Sequence, residues 1–356
     1  MNARYVKDLL TQDEFDVLSK APSIAGARHP TWFSVFYEKP RRIEFLTNEA
    51  VARVSESGHS GWLEQLKPRL LRLDDHEEAA AALAELRAFG AMLEAGFTVE
   101  PIPRSNSATP DFTIDAGDGP VVVEVFTKHE DDDQKQLREL AQSGGSDPNI
   151  ARSSFEAGGL SVKMTATVMQ PGGAPDPNKP HDSVQANLIS RICAAKGNET
   201  QLSEDRPSLL WMDLRSFGLW PEIVEPAQSA PLMMSREGLV AGALWYGLYG
   251  WKGAPIFDPS LRKGENVVPM GHDGRFRLSG KKKSKLSGVI VTLPETSIFF
   301  ENPWATSPIG QRTRHQLVWL PDYDLPRSVC SWSDGDALAS AELGRRQIEA
   351  MEKHGI

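Results

Sequence analysis

The segment from Asp74 to Phe126 constrains the fold of this chain more than any other part. It opens with acidic residues and helix formers, DDHEEAAAALAELRAFGAMLEAG, and this run ends at Gly96. Acidic side chains favour the N-terminus of a helix and glycine favours its end, so the run predicts a helix. Three short apolar segments come next at 97–102, 111–114 and 121–126, separated by turn residues. A helix succeeded by closely spaced strands predicts an α/β unit that contains a hairpin.

The rest of the chain continues the mixture of helices and strands. Apolar residues at helical spacing predict a mostly helical lead-in over 1–74 that packs on the α/β unit after it. Further helices are predicted at 129–143, 182–202 and 235–250 and over the last fifteen or so residues, and further strands at 160–169, 207–215, 286–293 and 297–303. We therefore predict one elaborated α/β domain with a helical N-terminal extension.

Composition and charge exclude several classes of protein. The chain has 356 residues with 39 basic and 48 acidic side chains, a balance that does not suit a purely electrostatic nucleic-acid coat protein. The two cysteines, Cys193 and Cys330, form no CxxC pair, so neither a structural zinc site nor a secreted disulfide scaffold is expected. The longest uncharged apolar stretch, Gly238 to Trp251, is shorter than the roughly 18 residues of a membrane span, and no secretory signal is recognised. We expect a cytoplasmic protein without a membrane partner.

Three carboxylates in the first α/β unit indicate a chemistry. Glu85 lies on the predicted helix, Asp111 at the start of one strand and Glu124 within the next. If the two strands pair, Asp111 and Glu124 converge at one edge of the sheet, and the helix brings Glu85 alongside. Mg²⁺ prefers such oxygen ligands, and a bound cation polarises a phosphoryl oxygen and activates water. The pattern predicts Mg²⁺ or Mn²⁺ held by Asp111 and Glu124, with Glu85 as an auxiliary ligand or water orienter. The predicted reaction is phosphodiester hydrolysis.

Each carboxylate also has an ordinary interpretation. Glu85 is a good helix former that can simply face solvent, and Asp111 follows a proline where aspartate commonly serves a turn. Glu124 interrupts the apolar run VVVEVF, and burying its charge unpaired is costly, so it either faces solvent or binds something.

The order of these residues resembles the PD-(D/E)xK nuclease superfamily, whose fold is the restriction-endonuclease-like fold. The resemblance rests on Glu85, on Pro110-Asp111, on the strand VVVEV, and on a later helix and strand, and it covers roughly residues 78–215. It implies a mixed central sheet flanked by helices, with a helical extension over 1–74, the nuclease-like core at 75–215 and C-terminal additions over 216–356. It also implies a metal-dependent nuclease with DNA as the expected substrate.

One position departs from the family pattern. The lysine that stands two residues after the strand acid is replaced here by Phe126. Lys128 lies one step further on the same strand face and is the predicted catalytic cation, with Lys196 or Gln201 as substitutes from the later helix. Because Phe126 stands in place of the lysine, two alternatives to an active nuclease remain. One is an inactive nuclease-like subunit of a bacterial defence or mobile-element system that binds nucleic acid or protein, and the other is a structural or assembly protein.

A basic segment, RFRLSGKKKSK, stands out in this acidic chain. Its cations are predicted to contact the phosphate backbone without reading sequence, although such a run also suits a solvated loop. They are Arg275, Arg277, Lys281, Lys282, Lys283 and Lys285. Motifs for dinucleotide, P-loop, zincin and serine-hydrolase sites are missing from the sequence. The residues leave open DNA or RNA, the number of strands, sequence specificity, and whether the chain forms a homodimer or takes a protein partner.

Overall fold

The structure is a computed structural model. It describes residues 3–23, 28–37, 40–104, 109–127, 132–147, 150–157, 160–167, 189–190, 192–193, 202, 204–215, 229, 232–235, 238–257, 267–277, 284–329, 346 and 353. The helices in these ranges are α1 (Gln12–Ser19), α2 (Pro30–Phe36), α3 (Arg42–Glu56), α4 (Ser60–Leu70), α5 (His76–Glu94), α6 (Asp132–Ser143), α7 (Ala243–Tyr249) and α8 (Gln311–Leu317), after a 3₁₀ turn at Val6–Leu9.

The strands begin directly after α5. They are β1 (Thr98–Pro101), β2 (Phe112–Asp115), β3 (Val121–Thr127), β4 (Ile150–Ala157), β5 (Leu160–Thr167), β6 (Ser208–Asp213), β7 (Leu232–Ser235), β8 (Gly238–Ala241), β9 (Pro255–Phe257), β10 (Val267–Pro269), β11 (Gly288–Leu293) and β12 (Thr296–Glu301). Six of them form the central sheet in the order β1-β2-β3-β6-β11-β12, while β4-β5, β7-β8 and β9-β10 are separate two-stranded ribbons.

The central sheet is mixed. Strands β1, β2 and β3 pair antiparallel, β3, β6 and β11 pair parallel, and β12 closes the sheet antiparallel to β11. The tight turn from β2 to β3 depends on Gly117 and Gly119, whose φ angles of 91° and 108° favour glycine. Asp115 supports this turn, since its Oδ1 accepts a hydrogen bond from the Gly117 N–H at 2.6 Å.

Apolar residues cover both faces of the sheet, and each face carries helices. Along β3 the side chains alternate, so that Val121 and Val123 belong to the core that contains α5, whereas Val122 belongs to the core that contains α7. Strands β6 and β11, at the centre of the sheet, are buried throughout. The structure thus confirms the predicted α/β class with a mixed sheet flanked by helices.

The helices of the segment 1–74 pack on α5 in this first core, as expected. Val51 and Val54 of α3 and Leu66 of α4 are buried in the same core as Phe89 of α5. The approach of α3 to α5 is close because α5 has a glycine there: a Cβ at Gly90 would overlap Ala50. The sheet side of α5 therefore carries the strands, and its other side carries the N-terminal helices.

The local predictions succeed in the core and fail in one later segment. The helix predicted from Asp74 is α5, and the three strands predicted after it are β1, β2 and β3. The helix predicted over 235–250 is wrong in its first half, because Leu232–Ser235 and Gly238–Ala241 form an antiparallel ribbon and only Ala243–Tyr249 is helical. Gly242, at the N-cap with an extended backbone, separates the two structures. Most of the helix predicted at 182–202 and of the terminal helix lies outside the described residues.

Within the described ranges, no helix is both long enough and apolar enough to cross a bilayer.

Candidate active site

Asp111 and Glu124 face each other on neighbouring strands. Phe112 pairs with Val123 in the antiparallel register of β2 and β3, and continuing this register by one residue places Asp111 opposite Glu124. Residues directly opposite in an antiparallel pair project from the same face of the sheet. The backbone fixes Asp111 further, since its N–H donates to the Val123 carbonyl at 3.2 Å and its Oδ2 accepts from the Val125 N–H at 2.8 Å. The convergence predicted for these two carboxylates is present.

Glu85 is held beside this pair by two arginines. It lies in the middle of α5 and only 7% of the residue is exposed. Its carboxylate accepts two hydrogen bonds from Arg69 of α4, at 2.5 and 2.7 Å, and one from Nη2 of Arg104 at 3.0 Å. Arg69 also contacts Glu78 on the first turn of α5. The role of Glu85 as an auxiliary ligand or water orienter stays a prediction, and in this structure its oxygens accept from the two guanidinium groups.

Burial and nearby negative charge raise the pKa values of Asp111 and Glu124. Burial raises the pKa of Glu124 from 4.5 to about 9, and the negative charges of Asp111 and Glu85 add to this effect. Burial likewise raises the pKa of Asp111 from 3.8 to about 7, together with the charge of Glu85, against the opposing Val125 hydrogen bond and the two arginines. Near neutral pH the pair therefore retains protons that a bound cation would displace.

The carboxylates at this site suit a metal ion that takes few of its ligands from the protein. In the described part of the chain, no group of three or more histidine, cysteine, aspartate or glutamate side chains is arranged to hold a metal ion. Mg²⁺, however, is usually held by one or two carboxylates and completes its shell with water and substrate phosphate. Asp111 and Glu124, opposite each other and mutually repelling, fit this requirement.

A cavity opens next to Glu85 and Asp111, which both line it. Its volume is about 430 Å³, and it lies between α4 and the chain after β1. The remaining lining residues are Gly58, His59, Gly61, Trp62, Gln65, Leu66, Arg69, Pro101, Ile102, Pro103 and Arg104. The site thus combines acidic groups, two arginines and an apolar wall.

Sequence reasoning missed Arg69 and Arg104. Arg69 precedes Glu85 and Arg104 lies between Glu85 and Asp111, and an isolated arginine carries no signal of its own in one sequence. Their contacts with Glu85 arise because α4 packs on α5 and the chain after β1 passes beside Glu85, in the middle of that helix.

The position at which the PD-(D/E)xK pattern has a lysine is occupied here by an aromatic side chain that packs on the second core. Phe126 is partly buried against the residues that surround α7. Lys128, Lys196 and Gln201, the predicted sources of a catalytic cation or its substitute, lie outside the described residues.

The basic segment is only partly a surface feature. Arg275 is completely buried, and this position does not fit the predicted contact with a phosphate backbone. Arg277 packs over the rings of Trp251 and Trp304, and its Nε donates to the Tyr249 carbonyl at 2.7 Å. Both arginines therefore belong to the packed region around α7. Lys285 donates to the Leu202 carbonyl at 3.3 Å and lies 3.8 Å from Glu204, and Lys281, Lys282 and Lys283 fall outside the described residues.

A second charged pair, between α5 and β6, is entirely internal. Arg87, two residues after Glu85, bonds to Oδ2 of Asp213 at 2.9 and 3.1 Å, and both side chains are buried. Burial opposes ionisation of Asp213, but the charges of Arg87 and Arg215 hold its pKa below the ordinary value. This pair joins α5 to the end of β6.

Comparisons of the chain with protein-family models, with curated proteins and with solved structures find no match. Membership of the PD-(D/E)xK superfamily therefore stays a prediction drawn from the residues of this chain.

Proposed function

We propose that this chain is a metal-dependent nuclease of the restriction-endonuclease-like class, with DNA as the expected substrate. The observation that carries the proposal is the pairing of Asp111 with Glu124 on adjacent strands, beside Glu85 and an open cavity. Burial raises the pKa of both carboxyls, Glu85 adds to both shifts and Asp111 adds to that of Glu124, so a divalent cation would replace the retained protons. The order of α5, the β2–β3 hairpin and the parallel strand β6 supports the same class.

The roles of the residues follow from their positions. Asp111 and Glu124 would hold Mg²⁺ or Mn²⁺, which when bound supplies charge stabilisation to the phosphoryl group and lowers the pKa of water. Arg104, with 62% of its side chain exposed, is placed to contact a substrate phosphate at the rim. Glu85 positions Arg104 and Arg69 through its hydrogen bonds. Lys128 remains the proposed source of a further positive charge.

The test is a cleavage assay with a conservative variant. Purified protein, Asp111→Asn and Asp74→Asn are each incubated with supercoiled plasmid, single-stranded DNA and structured RNA, in Mg²⁺, Mn²⁺ or EDTA. Asp74 is a matched control because its side chain is 85% exposed. We expect metal-dependent cleavage by the wild type and by Asp74→Asn, and none by Asp111→Asn. Equal cleavage by Asp111→Asn and the wild type would refute the assigned site.

A second candidate function is a binding subunit without catalysis. The packing of Phe126 on the second core, where the family pattern has a lysine, favours it. This candidate predicts nucleic-acid binding that persists in EDTA and in Asp111→Asn, is weakened by charge reversal at Lys281 to Lys283, and is not accompanied by cleavage. Gel-shift titrations beside the cleavage assay separate the two functions.

A further inference from the structure

The cavity beside Glu85 has the composition of a nucleotide site, and the inference drawn from it rests on the proposed function. Its volume of about 430 Å³ lies within the ~300–1,000 Å³ typical of small-ligand sites, which suits one nucleotide and not a stacked duplex. Acidic and cationic side chains line it together with aromatic and apolar ones. A nucleotide likewise combines a charged phosphate with a flat base.

Trp62 is the aromatic wall of the cavity, and a core residue packs against its ring. Trp62 is partly buried and stacks on Phe89, with ring centroids 4.4 Å apart and an angle of 22° between the planes. Phe89 is fully buried and contacts Phe112 of β2 edge to face at 5.3 Å. Because Phe89 packs against one face of the indole, the core restrains Trp62 at the cavity, and a restrained ring loses little entropy on contact with a base.

The polar end supplies the complementary charge. Arg104 contacts Glu85 through Nη2 and is otherwise largely exposed at the cavity, so its guanidinium can donate to a phosphate without leaving Glu85. Asp111 lines the same cavity, so a phosphate at Arg104 lies next to the proposed cation site. Gln65, an exposed lining residue, offers an amide to a base edge or a sugar hydroxyl.

We infer that this cavity binds one unpaired nucleotide of the substrate, with its base against Trp62 and its phosphate at Arg104. A base inside a duplex is stacked on both sides and cannot enter such a recess unless it leaves the helix. The preferred substrate is therefore single-stranded nucleic acid. Because aromatic stacking accepts every base, this contact does not select a sequence.

Binding of a fluorescent oligothymidylate and of a duplex of equal length, measured by anisotropy in Ca²⁺ to prevent turnover, tests the inference. The variants are Trp62→Leu, Trp62→Phe and, as a matched control, Trp319→Leu, since Trp319 is 71% exposed. We expect Trp62→Leu to weaken binding of the single strand about tenfold, the effect of removing one base–aromatic stack. Trp62→Phe should largely restore it, Trp319→Leu should match the wild type, and the wild type should bind the single strand more tightly than the duplex.

Gln65→Glu keeps the test independent of core packing. This exposed side chain lines the cavity, and a new carboxylate there should repel the phosphate and weaken single-strand binding severalfold while circular dichroism stays unchanged. Wild-type affinity in both Trp62→Leu and Gln65→Glu, or tighter binding of the duplex, would overturn the inference. Trp62-dependent binding without cleavage in Mg²⁺ or Mn²⁺ would sustain the nucleotide site and reject the nuclease. Metal-dependent cleavage at the wild-type rate by both Trp62→Leu and Gln65→Glu would sustain the nuclease and reject the nucleotide site.

Discussion

Replacing Glu124 by glutamine should stabilise the protein at alkaline pH. The folded state raises the pKa of this carboxyl from 4.5 to about 9, so the folded chain binds its proton more tightly than the unfolded chain does. The stabilisation from that proton is complete below pH 4.5 and is lost as the pH rises toward 9. Glutamine keeps the size of the side chain and removes the ionisation.

The magnitude can be worked out from the size of the shift. Each pKa unit corresponds to about 1.4 kcal/mol. Roughly three units of the interval between the unfolded and the folded pKa of Glu124 lie between about pH 5 and about pH 8. The free energy of unfolding of the wild type should therefore fall by roughly 4 kcal/mol over this range from Glu124 alone. Water screens little of this effect, because only 6% of Glu124 is exposed.

Urea unfolding in EDTA at pH 5 and at pH 8 measures the effect. We expect the wild type and Glu124→Gln to differ little at pH 5, and the variant to be more stable by several kcal/mol at pH 8. Glu100→Gln is the matched control, since Glu100 lies on β1 with 68% of its side chain exposed and should behave like the wild type. Parallel loss of stability in the wild type and Glu124→Gln between the two pH values would refute the reasoning.

Three further predictions concern the cation, the internal ion pair and the packing of α5. Mg²⁺ at pH 8 should stabilise the wild type but not Glu124→Gln, because a ligand that binds only the folded state raises its stability; the same urea titrations detect this. Arg87→Ala should cost about 3–5 kcal/mol by removing the guanidinium that bonds to the buried Asp213 carboxylate, and a normal urea midpoint would contradict the pairing. Gly90→Val should destabilise by about 1–3 kcal/mol through overlap with Ala50, whereas Gly61→Val should not clash, since nothing lies within 4 Å of a Cβ there; differential scanning calorimetry compares the two.

The elements that could be predicted are those with local causes. Helix α5 is specified by its acidic first turn, its helix formers and Gly96, and the Asp75 carboxylate caps it by accepting from the Glu78 N–H at 3.0 Å. The hairpin of β2 and β3 is specified by the turn DAGDGP, and a turn of fixed length also fixes the register. The meeting of Asp111 and Glu124 was therefore predictable from residues close together in the chain.

Contacts between distant segments were not predictable in the same way. The pairing of Arg69 and Arg104 with Glu85 depends on where α4 and the chain after β1 pack, and a charged residue alone does not reveal its partner. The cationic neighbours of Arg275 predict a basic surface, yet its side chain is buried. The ribbon at Gly238–Ala241 reads as part of a helix because a short apolar run fits either structure.

The sequence by itself determined α5, the hairpin and the convergence of two carboxylates, because capping, turn geometry and strand alternation act over a few residues. Only the tertiary structure decided which cations face Glu85, which arginines are buried, and that a cavity walled by Trp62 opens beside Asp111. These features depend on the packing of helices and strands far apart in the chain, where the burial of apolar surface, and not local preference, sets the positions of the side chains.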